Sequence, residues 1–370
     1  MIYLNGLSLF TFSKEWPPNN PAQDALTQSK RNKTYSFTRI DHISSQVGGV
    51  IVSVVFSWSY CLLINNFGEA YLVGHLDGKS NNILKLIPPD NGFIIEAACG
   101  INNIHLVSKN GKYWLFDKRA RIWKNLNQIL NVERPEKCED KQIIVTKVAC
   151  GTRINLAVDN LGSLFSVPSR LDLRVLVSAV ACGKEHALIL TTDSTVYSWG
   201  TGSRGQLGHG SVDDESHPRE LAALCGLRVI AVAAGGWHSC CITEQRDLYA
   251  WGWNASGQLG FAGETQEEVD GRRRVTSVLA EPSVVDWPGD SINVSQVACG
   301  SRHTIALLDD CSVWGCGWNR YHQVCATLPQ TIFGMTRLAV PPNLKVNRII
   351  CGEWNTAFVA ESNQSPPVVE

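Results

Sequence analysis

The chain lacks an excess of either charge. It carries 33 basic and 34 acidic residues for a net charge of −1, and only 18% of it is charged. A nucleic-acid module usually shows a basic excess or stripe, so direct nucleic-acid binding is not expected. Two small basic clusters stand out, Lys30-Arg31-Asn32-Lys33 and Arg272-Arg273-Arg274. Each is solvated loop charge, a localisation signal or a contact for an acidic partner. No apolar run approaches the roughly 18 residues of a membrane span. The apolar N-terminus has no preceding basic region and no small-residue cleavage pattern, which argues against a secretory leader. G-x-S-x-G, H-E-x-x-H, Walker and C-x-x-C patterns are all missing. Gly200-Thr-Gly-Ser-Arg-Gly205 has the spacing of a dinucleotide fingerprint, but it lies between two expected strands with no helix to hold a phosphate. Asp213-Asp214 and Asp309-Asp310 fit turns better than acid–base chemistry. The chain is therefore not expected to be an enzyme, and no catalytic residue, cofactor or metal is assigned.

What the chain has is a repeat. Inner markers at Ser57, Gly100, Gly151, Gly183, Gly235 and Gly300 are each followed 17 positions later by the end of an aromatic strand, at Gly74, Asp117, Pro168, Gly200, Gly252 and Gly317. A fixed internal spacing within a longer variable period means one supersecondary unit copied many times. Its apolar runs are short, rich in Val, Ile, Leu, Tyr and Trp, and bounded by Gly, Asp, Asn or Ser, which is strand-and-turn chemistry. A seventh inner marker at Gly352 leads to Thr356-Ala-Phe-Val359, but Pro366-Pro-Val-Val-Glu370 cannot supply its outer strand. Ile2-Tyr-Leu-Asn-Gly6 matches Leu248-Tyr-Ala-Trp-Gly252 in phase and supplies it instead. A linear solenoid has no use for that exchange; a closed ring does. The expected fold is an all-β, seven-bladed β-propeller of four-stranded antiparallel blades, closed by pairing of the N-terminal strand with the C-terminal blade.

The propeller occupies 1–361 as a single domain. Residues 2–10 are its closing strand, 11–45 a linker and 261–294 an inserted loop, while 362–370 form a disordered tail. Cys99, Cys150, Cys182, Cys299 and Cys351 each precede a marker glycine on a different blade, as small apolar residues of the inner strand. So many unpaired thiols among 13 cysteines argue for a reducing compartment, nucleus and cytoplasm. His186, His238 and His303 share one phase on successive blades, roughly 10 Å apart. Zinc needs ligands at about 2 Å, so they are expected to be structural. Trp199, Trp251, Trp253, Trp314 and Trp318 are expected to pack the blades.

Tyr197-Ser-Trp-Gly-Thr-Gly-Ser-Arg-Gly-Gln-Leu-Gly-His-Gly210, Trp251-Gly-Trp-Asn-Ala-Ser-Gly-Gln-Leu-Gly260 and the Cys-Gly-x-x-His segments resemble the regulator of chromosome condensation repeat family. The likeness is strong from about 178 to 325 and faint before. Ala234-Gly-Gly-Trp-His-Ser and Cys351-Gly-Glu-Trp-Asn-Thr are similar to the small single-propeller members. That resemblance implies a nuclear, chromatin-linked, monomeric scaffold that meets chromatin indirectly. It also implies a protein partner, a JmjC-domain oxygenase of the histone demethylase or hydroxylase kind. The alternative is guanine nucleotide exchange on the small GTPase Ran, which in the family goes with a basic tail and a β-wedge loop. The residues themselves suggest where a partner would bind. Trp237, Trp354 and Arg302 sit just before the histidine phase, with Arg153 matching them and Trp58 one position earlier. Aromatic and arginine side chains dominate interface hot spots. Arg272, Arg273 and Arg274 are the second choice.

Overall fold

The computed structural model describes residues 2–6, 38–39, 43, 46–76, 79–132, 143–261, 266–269, 272–275, 277–289 and 292–362. Seven four-stranded antiparallel sheets follow one another along the chain. Blade one is Ile51–Phe56, Tyr60–Asn65, Ala70–Leu76 and Lys79–Leu86. Blade two is Ile94–Cys99, Asn103–Ser108, Tyr113–Asp117 and Ile122–Asn125, followed by a short helix, Leu126–Val132. Blade three is Val145–Cys150, Asn155–Asp159, Leu164–Ser166 and Ser169–Arg170. Blades four, five and six begin at Val177–Cys182, Val229–Ala234 and Val294–Cys299. Blade seven combines Leu344–Cys351 and Asn355–Ser362 with Ile2–Gly6 and Thr38–Arg39.

The ring closes as the phase match requires. Ile2 pairs with Val359, Leu4 with Ala357 and Gly6 with Asn355. Ile2 is buried with Val54, Leu63 and Val73 of blade one, so the first strand seals blade seven onto its neighbour. The recurrent 17-residue spacing is a hairpin register. Three residues after each marker, Tyr60, His186, His238 and His303 stand opposite Gly74, Gly200, Gly252 and Gly317. Those four glycines have φ of 131°, 110°, 104° and 102°. A Cβ at Gly252 would lie 2.7 Å from the Trp237 carbonyl oxygen, so only glycine suits the place.

The second strand of each blade is pressed on both faces by neighbouring blades. Tyr60–Asn65, His186–Thr191, His238–Thr243 and His303–Leu308 are buried at every position. Cys240 and Cys241 accordingly point into different interblade cores. The first strands wall a central channel of about 150 Å³. Cys99 is buried there, while Cys150, Cys182, Cys299 and Cys351 are half-buried against the channel.

Two segments differ from the expected boundaries. The 261–294 stretch is not loop throughout: Val278–Val284 is the outermost strand of blade five, pairing with Leu248–Trp253. Gln266–Val269 and Arg272–Val275 form a separate hairpin before it. Its charged composition hid the strand pattern. Within 11–45, Thr38–Arg39 pairs with the closing strand, too short a run to show alternation. The rest of 7–37 and the tail 363–370 lie outside the described residues. No described helix is long and apolar enough to cross a membrane.

Candidate partner-binding rim at the channel mouth

The marker glycines bring neighbouring blades together at the channel. Thr152 N donates to the Lys184 carbonyl at 3.0 Å, Gly236 N to the Gly300 carbonyl at 3.0 Å and Ser301 N to the Glu353 carbonyl at 3.1 Å. These bonds fix the backbone from which the next two side chains of each blade leave. Behind them runs a side-chain relay. Ser239 Oγ donates to the Gln206 carbonyl at 2.8 Å, so it accepts from His186 Nε2 at 2.9 Å. His238–Thr304–Gln258 and His303–Thr356–Gln323 repeat the relay one blade on. Each histidine thus binds the next blade while that blade's hydroxyl binds back. Burial pushes His186 and His303 down to about 3, so the rings are neutral with the proton on Nε2.

His238, Cys240 and Cys299 have donor atoms all within 4.8 Å of one another, a soft-ligand set in principle. His238 Nε2 also bonds Thr304 at 2.9 Å. His186 keeps the same bond where Leu188 and Ala234 replace the two cysteines. The hydrogen bond to Cys299, with burial, pushes the Cys240 thiol up.

In front of the relay lies a belt of aromatic rings and cations. Trp58 meets Trp354 edge-on at 5.6 Å, and Trp354 meets Trp318 at 5.2 Å and Tyr321 at 6.1 Å. Trp237 meets Trp253 at 5.5 Å. Lys184 stands over Trp58, Trp237 and Trp354 at 5.0, 4.7 and 5.8 Å. Arg204 stacks on Trp253 at 4.2 Å and Trp237 at 5.0 Å. Arg302 stacks on Trp253 at 4.7 Å and Trp318 at 5.0 Å. Such contacts contribute roughly 0.5–2 kcal/mol each and hold long side chains in place. Lys184 also bonds Glu353 at 3.2 Å, and Arg153 lies 3.7 Å from Glu185. Burial raises the Glu353 carboxyl, with Lys184 pulling it back.

The four rim residues marked in the sequence, Trp58, Trp237, Arg302 and Trp354, all join this belt. Arg153 stays apart from the rings, on blade three. Five members were not singled out: Lys184, Arg204, Trp253, Trp318 and Tyr321. Trp253 and Trp318 were expected to pack blades, but unlike buried Trp251 and Trp199 they are half-buried in the belt. They follow Gly252 and Gly317 directly, and Arg204 and Tyr321 lie four residues past Gly200 and Gly317. That outer-marker phase was the available signal. Arg272, Arg273 and Arg274 start the second strand of the hairpin, and their side chains lie outside the described residues.

The model of the regulator of chromosome condensation (RCC1) repeat matches residues 193–242 and 247–307, and a second model of that repeat matches 177–206, 229–258 and 294–323. Residues 177–323 of this propeller therefore carry RCC1 repeats. It is 36% identical to RCC1 domain-containing protein 1 of Mus musculus over 53% of this chain and 58% of that protein. Against the Homo sapiens protein of that name the identity is 37%, over 50% of this chain and 56% of the relative. The chain thus spans just over half the length of these curated relatives. In solved structures the RCC1-type ring recurs across 98% of this chain. Yeast RCC1 (Prp20) bound to Kap60 gives a TM-score of 0.75 over 88% of its chain, and human WBSCR16 gives 0.72 over 100% of its chain, both at 16% identity. At that identity they show the fold alone.

Proposed function

We propose that this propeller is a non-catalytic scaffold that captures a protein partner on the rim of its channel. The observation that supports this is the half-exposed belt of Trp58, Trp354, Trp318, Trp237 and Trp253 interleaved with Lys184, Arg204 and Arg302. Rigid aromatic and arginine anchors held by their neighbours are what a hot spot needs. A nuclear and cytoplasmic, chromatin-linked setting and a JmjC-domain oxygenase partner are the finer reading, supported by the resemblance to the small single-propeller members. Exchange on Ran is the second reading, favoured by the hairpin of Gln266–Val269 and Arg272–Val275 inserted in blade five. Co-purification from cells with partner identification tests both. Wild type should recover a JmjC-domain protein, and Trp237→Ala with Arg302→Ala should lose it. Unchanged capture by the double variant moves the interface off this rim. Accelerated GDP release from Ran supports the second reading.

A further inference from the structure

We infer that Arg204, Trp253 and Arg302 form a docking point for an acidic segment of the partner, one that brings carboxylates to two guanidiniums that have none among the described residues. This rests on the rim being the binding face. Other cations at the mouth already have their acids: Lys184 has Glu353 at 3.2 Å and Arg153 has Glu185 at 3.7 Å. Among the described residues, neither Arg204 nor Arg302 has a carboxylate within 4.0 Å. Yet both are held against the same indole, at 4.2 and 4.7 Å. Two like charges share one ring with no counter-ion among the described residues. Arg302 Nε is, in addition, buried without a hydrogen-bond partner, an unmet donor of the kind native proteins seldom leave. Burial and the nearby Arg204 both disfavour the Arg302 charge, and a bound anion compensates for them.

The stacking also selects the ligand. A guanidinium on an aromatic face leaves its in-plane N–H groups free for a forked acceptor, and carboxylate matches that fork. The belt is not an empty cage for a ligand cation, because Lys184, Arg204 and Arg302 already occupy its rings. A polyanionic nucleic acid would want a long basic track, whereas this chain carries a net charge of −1 and two guanidiniums at the site. An acidic peptide segment fits a site of that size.

The test uses the full chain and two fluorescein-labelled peptides, hexaglutamate and hexaglutamine, followed by fluorescence anisotropy at low and moderate salt. Hexaglutamate should bind, more weakly as salt rises, and hexaglutamine should not. Arg204→Gln with Arg302→Gln should weaken hexaglutamate by about tenfold or more. Arg204→Lys with Arg302→Lys keeps the charge and removes the fork, and should fall between; it also serves if the glutamine pair folds poorly. Equal binding of both peptides overturns the inference, as does hexaglutamate binding unchanged in both double variants. Tighter binding of an oligothymidylate than of hexaglutamate also overturns it, in favour of a nucleic acid. If Trp237→Ala with Arg302→Ala abolishes partner capture yet hexaglutamate never binds, the rim reading stands and the acidic chemistry falls. If capture is unaffected while hexaglutamate binds, the rim reading falls instead.

Discussion

In blades four, five and six, every inner histidine crosses to a hydroxyl of the next blade, which bonds back to a glutamine carbonyl. Blades one to three hold together otherwise. Blade one crosses with Tyr60 Oη and Ser57 Oγ, which both donate to the Gly100 carbonyl at 2.6 and 2.7 Å. Blades two and three carry Asn103 and Ile154 at that phase, with no such crossing among the described residues. His105 instead bonds Tyr113 within its own blade at 2.7 Å. Apolar filling carries those interfaces, by Val107, Tyr113 and Phe165 between blades two and three and by Leu156, Val158 and Trp199 between blades three and four. The lesson is that a propeller tolerates loss of the polar relay one blade at a time, because the interblade core is rebuilt from bulk. The rim does not share that tolerance: its aromatic and cationic belt stands on the blades that kept the signature, plus Trp58 of blade one and Trp354 of blade seven.

Opening the ring should cost both halves most. Removing residues 1–10 takes away the strand paired with Asn355–Val359 and the buried Ile2. Stability should fall by on the order of 5 kcal/mol, read by urea unfolding. An unchanged midpoint would mean that closure does not depend on this strand.

The next effect separates the halves. Gly200→Ala forces a side chain into φ 110° and against the Glu185 carbonyl, which should cost about 3 kcal/mol. Asp117 occupies the same phase in blade two without that backbone strain, and caps Arg119 N and Ala120 N at 3.0 Å. Asp117→Ala should cost about 1 kcal/mol. Equal losses would show that the two halves are not built differently at the outer marker.

The relay comes third. Thr304→Val strips both the acceptor of His238 Nε2 and a donor to the Gln258 carbonyl, so about 2 kcal/mol should go. Ser57→Ala leaves the Gly100 carbonyl its Tyr60 bond and should cost less than about 1 kcal/mol. Acid should expose the same difference. The folded state holds His186 and His303 down at about 3 and His105 at about 4, chiefly by burial. Below about pH 6.5 the unfolded chain takes up protons that the fold refuses. Stability should therefore decline as pH falls from 6.5 towards 3, each ring adding up to about 1.4 kcal/mol per pH unit. In His186→Gln, the decline measured by urea titration at several pH values should be shallower. An unaltered slope would mean that this imidazole is not held neutral.

How far the sequence discloses all this depends on whether the signal is local. The 17-residue spacing is visible because it is a hairpin register within one blade, and the closing strand because Ile2–Gly6 keeps that phase. Trp58, Trp237, Arg302 and Trp354 could be picked out because they stand near one marker. Lys184, Arg204, Trp253, Trp318 and Tyr321 stand at other phases of the repeat and join them through side-chain contacts within and between blades, and Trp253 stands only two residues from buried Trp251. Val278–Val284 was hidden because an acidic and basic hairpin interrupts the spacing before it.

A modest stability loss should accompany the largest functional one, and it tests whether the mouth is one-sided. Ile101 and Arg153 stand at the entrance of blades two and three, where Ile101 is exposed and Arg153 reaches only Glu185. Trp237 and Arg302 hold the phase of Arg153 on blades five and six, inside the belt, while Ile101 lies one position earlier, as Trp58 does. Both pairs leave from the same inner-strand ends, so replacing either by alanine removes surface contacts without opening an interblade core. Ile101→Ala with Arg153→Ala should lower stability by about 1 kcal/mol or less, and Trp237→Ala with Arg302→Ala by about 2 kcal/mol, because it also removes four cation–π contacts. Trp237→Ala with Arg302→Ala should nonetheless lose about 2 kcal/mol or more of partner affinity, while Ile101→Ala with Arg153→Ala should bind normally in the same titration. If both pairs weaken the partner equally, the whole mouth is the interface and the erosion of blades two and three has no functional counterpart. If only the belt pair does, the partner sits off-axis, over the blades whose entrances still carry the aromatic and cationic side chains.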